Sequence, residues 1–209
     1  MKNNPTKPIH TEGGASVGGN INTQGGDFVG RDKIELKIYS YFRATPDQLR
    51  RSFDALMKDK LQGFVGRQFV FDALDDFLDT HDSGYFILRG APGIGKSAFM
   101  AKLVNDRGYI HHFNIASQNI RSTRAFLENV TAQLIERYDL PHKELPPRAF
   151  DDSGFLMQCL SEAVAKHEKP EDQIVIAIDA LDEVNRQDLG ASANVLFLPP
   201  SLPDGVYIV

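Results

Sequence analysis

A three-layer α/β/α domain built on a parallel sheet is the fold class this sequence predicts, and three observations predict it. A short apolar run, Tyr85-Phe86-Ile87-Leu88, leads into the glycine-rich residues 90–97 (GAPGIGKS), and a helical pattern follows. A second, continuous apolar run, Ile174-Val175-Ile176-Ala177-Ile178, ends on Asp179, as strands buried on both faces do. Around these, strand-like and helix-like stretches alternate, the order that gives a parallel sheet covered by helices.

Bulk properties set the frame. A chain of 209 residues can hold one good-sized core plus appendages. Its hydrophobic content of 42% and charged content of 24% are ordinary for a globular protein. The net charge of −5 argues against a dedicated nucleic-acid surface. The single cysteine, Cys159, rules out an internal disulfide framework and fits a reducing compartment. It shares the apolar side of a predicted helix with Phe155, Leu156 and Leu160, which makes core packing its expected role. The opening MKNNPTKPIH lacks a signal-peptide apolar core, and no run approaches the about 20 apolar residues a membrane span needs. The chain reads as a soluble cytoplasmic protein with no membrane partner.

Residues 1–44 form a leader rich in Gly and Asn. Gly13-Gly14-Ala15-Ser16-Val17-Gly18 lines up with Gly25-Gly26-Asp27-Phe28-Val29-Gly30 at an offset of twelve. Two readings stand side by side. The leader is a flexible segment too poor in apolar groups to fold alone, or a pair of β-arcs that stack on like segments of other chains and make homotypic contacts. Ile34, Leu36 and Ile38 then alternate with charged residues in strand-like fashion. Over residues 45–62 a linker helix is expected. Thr45-Pro46-Asp47-Gln48 has capping-box form with Pro at the first helical position, and Leu49, Phe53, Leu56 and Met57 recur at helical spacing.

Residues 63–209 are the expected core. Phe64-Val65-Gly66-Arg67 enters a helix carrying Val70, Phe71, Leu74, Phe77 and Leu78. After the glycine loop, Phe99, Met100, Leu103 and Val104 mark one helical face. Tyr109-Ile110-His111-His112-Phe113 reads as a strand whose adjacent histidines point to opposite faces, poorly placed to share a metal. A helix with Phe126, Leu127, Val130, Leu134 and Ile135 follows, then a loop marked by Pro141, Pro146 and Pro147. The next helix carries Phe155, Leu156, Cys159, Leu160, Ala163 and Val164. The final run, Gly205-Val206-Tyr207-Ile208-Val209, begins a strand and stops inside it, which suggests a sequence cut short.

The chemistry concentrates in two places. GAPGIGKS fits G-x-x-x-x-G-K-[ST], the phosphate-binding P-loop, a match that chance supplies in about one chain of this length per hundred. Glycines let the loop wrap closely enough for backbone N–H groups to face phosphate oxygens. The helix behind it adds its free N–H groups and positive dipole end. The nucleotide-binding set is therefore Gly90, Ala91, Pro92, Gly93, Ile94, Gly95, Lys96, Ser97 and Ala98. Lys96 brings charge to the β- and γ-phosphates, and the Ser97 hydroxyl is placed for Mg²⁺. Asp179, at the C-terminal end of its strand, lies where open α/β sheets bind ligands and suits the magnesium-associated carboxylate. Asp182 and Glu183 follow one turn on, where either could orient or deprotonate an attacking water. Guanine readout finds no support: Asp179-Ala180-Leu181-Asp182 lacks the glycine of D-x-x-G, and Asn185-Arg186-Gln187-Asp188 departs from N-K-x-D in residue and in place. ATP or dATP is favoured.

With these residues the chain resembles a STAND-class P-loop ATPase, most similar to the NACHT group, over roughly residues 63–209. The likeness rests on FVGR ahead of a helix, GAPGIGKS, and IVIAIDALDE, which is close to the family's hhhhDGLDE with Ala180 replacing the usual glycine. It implies a P-loop NTPase fold, and it implies that Val65 and Arg67 lie by the adenine. Relatives continue into a sensor arginine, a helical subdomain, a winged helix and a repeat-built sensor. The function implied is a signalling switch in which ATP favours a homo-oligomeric assembly and slow hydrolysis resets it. A motor ATPase of the AAA+ kind and a non-hydrolysing nucleotide-binding assembly module are the alternatives.

Overall fold

The computed structural model describes residues 44–118, 120–146, 148–169, 172–184 and 195–209. The leader repeat, the alternating piece at 34–38 and residues 185–188 lie outside them. Four strands, β1 (Gly84–Tyr85), β2 (Ile110–Phe113), β3 (Ile174–Asp179) and β4 (Val206–Ile208), form one sheet in the order β1-β4-β3-β2. Every neighbouring pair is parallel, with Ile176 opposite Ile110 on one side and Ile208 on the other. The fold is α/β.

Side-chain alternation explains why helices cover both faces. Ile174, Ile176 and Ile178 of β3 join Ile110, Val206 and Ile208 in one apolar cluster. Most of its other members come from α5 (Thr123–Arg137) and α6 (Gly154–Val164), among them Phe126, Leu127, Leu156 and Cys159. Val175, Ala177 and Tyr207, of opposite parity, join a second cluster. Here the partners are Leu74 and Leu78 of α3 (Gln68–Thr80) and Phe99, Met100, Leu103 and Val104 of α4 (Lys96–Arg107). Each fully buried Leu or Phe contributes roughly 1.5–3 kcal/mol. The expected faces of these four helices are the ones buried. The Cys159 thiol lies fully in the core, and burial pushes its pKa up to about 12.

Two elements differ from expectation. The run Tyr85–Leu88 yields only the short edge strand β1, continued by one hydrogen bond from Phe86 N–H to Ile208 O at 2.8 Å. Beyond Phe86 the chain leaves the sheet, and Ile87 is exposed. The linker of residues 45–62 forms two helices rather than one: α1 (Pro46–Leu49) and α2 (Asp54–Leu61). The start is as read, with Thr45 N–H donating to Gln48 Oε1 at 3.2 Å. The break is tertiary in origin. Arg51 N–H donates to Asn129 Oδ1 of α5 at 2.9 Å instead of continuing the helix. Phe53, only 2% exposed, turns inward against His111, His112 and Phe113, with ring centroids 5.3–5.8 Å away.

That contact closes the β2 edge of the sheet. Asn129 and Gln133, one turn apart on α5, take the outward backbone of His111: its N–H donates to Gln133 Oε1 at 3.0 Å. Its carbonyl accepts from Asn129 Nδ2 and Gln133 Nε2, both at 2.8 Å. Covering an edge strand in this way is one of the means by which proteins hinder its pairing with another chain. The two histidines point to opposite faces. Burial lowers the pKa of both, that of His112 to about 3, so the imidazoles are held neutral in structural roles. Among the described residues no cluster of His, Cys, Asp and Glu is placed to hold a metal ion, and no helix is long and apolar enough to cross a membrane.

Candidate functional site

Sheet order fixes where the chemistry falls. Because the strands are parallel, the loop after β1 and the acids after β3 emerge at the same end, separated by β4. Residues 90–95 turn there and α4 begins at Lys96, with Gly95 as its N-cap. Gly93 and Gly95 take φ of +79° and +88°, a left-handed conformation that glycine adopts without strain. The Lys96 ammonium curls back over the loop, donating to Gly90 O at 2.8 Å and to Ala91 O at 3.3 Å.

Ser97, at the start of α4, and Asp179, distant in sequence, come close enough for the hydroxyl to lower the pKa of the carboxyl group. Asp179 is buried at the end of β3. Burial raises its pKa, the Ser97 hydroxyl and the Ala180 N–H pull it down, and the nearby Glu183 and Asp182 charges push it up again. A buried carboxylate beside a hydroxyl is a hard oxygen pair of the kind Mg²⁺ takes. Ala180 holds φ +58°, which explains why glycine suits this position: a side chain in that conformation costs roughly 1–2 kcal/mol.

The two remaining acids part company in a 3-10 turn, Leu181–Glu183. Asp182 lines a cleft of ≈ 380 Å³ together with Gly90, Lys96 and Asp179. Glu183 instead accepts from the Ala116 N–H at 3.0 Å, bracing the turn after β2. Of the two FVGR residues, Val65 stands 82% exposed, whereas Arg67 folds onto the loop and donates to the carbonyls of Gly95 (3.1 Å) and Ile94.

Sequence reasoning missed Asn114. This buried amide follows Phe113 at the end of β2 and donates through Nδ2 to the Asp179 carbonyl at 2.9 Å, tying the acid-bearing strand end to its neighbour. A lone amide directly after an apolar strand was the available signal. The contact of Arg67 with the loop was also missed.

Comparison with known proteins places this site within a family. The family model described as nephrocystin 3, N-terminal, matches residues 72–198, more than half of the chain. The chain belongs to that family. The matched region runs from α3 through the glycine loop and the Asp179 acids. No curated protein matches the chain, and no solved structure matches it.

Proposed function

We propose that the chain binds ATP or dATP with Mg²⁺ and acts as a signal-transduction switch of the STAND type, NACHT-like, on a P-loop NTPase fold. The observation that carries this reading is the meeting of Ser97 with Asp179 beside Lys96. Those are the three groups that the P-loop and the magnesium acid contribute in such proteins. On this reading residues 90–98 cradle the phosphates through backbone N–H groups and the N-terminus of α4. Ser97 and Asp179 hold Mg²⁺, which when bound neutralises phosphate charge. Asp182, on the cleft, is the better placed acid to orient water. Glu183 holds the turn that presents it. Turnover is slow, and the bound nucleotide favours a homo-oligomer.

Equilibrium binding tests the first half: ATP binds the parent and weakens roughly 10- to 100-fold with Lys96→Ala, the cost of losing a charged hydrogen-bond donor. Equal affinity for both proteins would end the P-loop reading. Single-turnover hydrolysis tests the second half. Asp182→Asn slows it by about 10²-fold or more, and Glu183→Gln by less. Equal rates in Asp182→Asn and parent would overturn that assignment, and no hydrolysis in the parent would favour the non-hydrolysing assembly module.

A further inference from the structure

The geometry points to Arg67 as a positioning residue that aims the phosphate-binding amides of the glycine loop, a role that rests on the nucleotide-binding reading above. A trans peptide unit is planar, with its C=O and N–H pointing opposite ways. Arg67 Nη1 and Nη2 donate to the carbonyls of Gly95 and Ile94. Those carbonyls belong to the peptide units whose N–H groups are those of Lys96 and Gly95. Holding both carbonyls from one side turns both N–H groups to the other, the concave side where phosphate oxygens would bind. The Gly95 carbonyl also accepts from Phe99 N–H at 3.1 Å, so its peptide is fixed by α4 and by Arg67 together. A guanidinium on these carbonyls also polarises the attached N–H groups.

Three further features show that the contact is built in. The guanidinium lies so close over the loop that a Cβ at Gly95 would stand 2.7 Å from Arg67 Nη2. Its φ of +88° favours glycine at position 95, and a side chain there would push the end of Arg67 off the loop. Arg67 itself holds φ +67°, after Gly66 at +76°, a conformation uncommon for a residue with a side chain. It occupies the N-cap of α3 in that conformation, and from there its side chain reaches the loop. Lysine cannot replace it fully, because a single ammonium does not present two N–H groups in the planar fork that spans adjacent carbonyls.

The test uses Arg67→Met, which keeps an apolar stem, and Arg67→Lys, which keeps the charge. Amide hydrogen exchange of the nucleotide-free protein comes first. A peptide spanning the loop exchanges faster in Arg67→Met than in the parent, with an intermediate rate in Arg67→Lys. Peptides from β3 and α5 stay unchanged, which a general loss of folding would not allow. Binding of ATP and of inorganic tripolyphosphate comes second, and both weaken roughly tenfold or more in Arg67→Met. Loss of ATP binding with tripolyphosphate binding intact would overturn the proposal in favour of a contact with the base. Parent-like exchange and parent-like affinities would overturn it outright. If the parent binds neither ligand, the nucleotide reading fails, and the exchange rates alone decide whether Arg67 holds the loop.

Discussion

Two concave regions of this molecule differ in what their polar groups do. At the β2 edge a groove of ≈ 460 Å³ is lined by Arg50, His111, Gln133 and Glu136, among others. Those groups are engaged with one another or with backbone: Arg50 spans both Glu136 oxygens at 2.8 and 2.6 Å, and Gln133 serves the His111 backbone. The smaller cleft of ≈ 380 Å³ beside the glycine loop collects the Lys96 ammonium, the Arg89 guanidinium and the carboxyl groups of Asp179 and Asp182. There Lys96 reaches only loop carbonyls and Asp179 is buried beside acids that raise its pKa. The larger cavity is thus closed chemistry that fixes the linker to the sheet. The smaller one concentrates charge and buries Asp179 at some cost to the fold, a pattern that supports the ligand role proposed for it.

The contrast breaks most clearly at Phe53. Its ring fills the edge of the second cluster, so Phe53→Ala costs about 3–5 kcal/mol in urea unfolding. Lys96→Ala stays within about 0.5 kcal/mol of the parent, because its ammonium holds no buried partner. Similar losses for the two would erase the distinction between a structural and a ligand-directed region.

A pH-dependent difference sharpens it next. The folded pKa of Asp179 lies above its ordinary value, so between the two values the folded chain binds more proton than the unfolded one. Stability then falls as pH rises through that window, and above it the full penalty of the buried charge remains. Asp179→Asn removes the penalty. In the absence of metal and nucleotide the variant melts above the parent at neutral pH, and its advantage shrinks as pH falls through the folded pKa. An advantage that grows toward acid pH would contradict the burial account.

The smallest effect belongs to Ala180. Glycine relieves its left-handed backbone, so Ala180→Gly raises stability by about 1 kcal/mol, read as a shift in the urea midpoint. No gain would mean that the turn bearing Asp182 is unstrained.

How much of this was legible depended on the range of the interactions. The buried strand ending at Asp179, the helix behind the glycine loop and the opposed histidines follow from local period and composition, and the sheet confirms each. The break in the linker was not legible, because helical spacing from Leu49 to Met57 is intact and the partners of Arg51 and Phe53 lie on α5 and β2. Asp182 and Glu183 are adjacent letters in a sequence. Only the 3-10 turn and the Ala116 amide set them apart: Asp182 lines the cleft, while Glu183, still near enough to raise the pKa of Asp179, is held by the Ala116 N–H. Arg67 was placed near the nucleotide by resemblance, but its hold on the loop carbonyls depends on a left-handed backbone that sequence patterns do not report.

The central claim is that Ser97 and Asp179 meet in order to hold the magnesium of a bound nucleotide. The dependence of ATP affinity on Mg²⁺, measured for the parent and for Asp179→Asn, tests it most directly. The account predicts that Mg²⁺ tightens ATP binding to the parent and leaves the variant's affinity nearly unchanged. An equal response to Mg²⁺ in both proteins would contradict it.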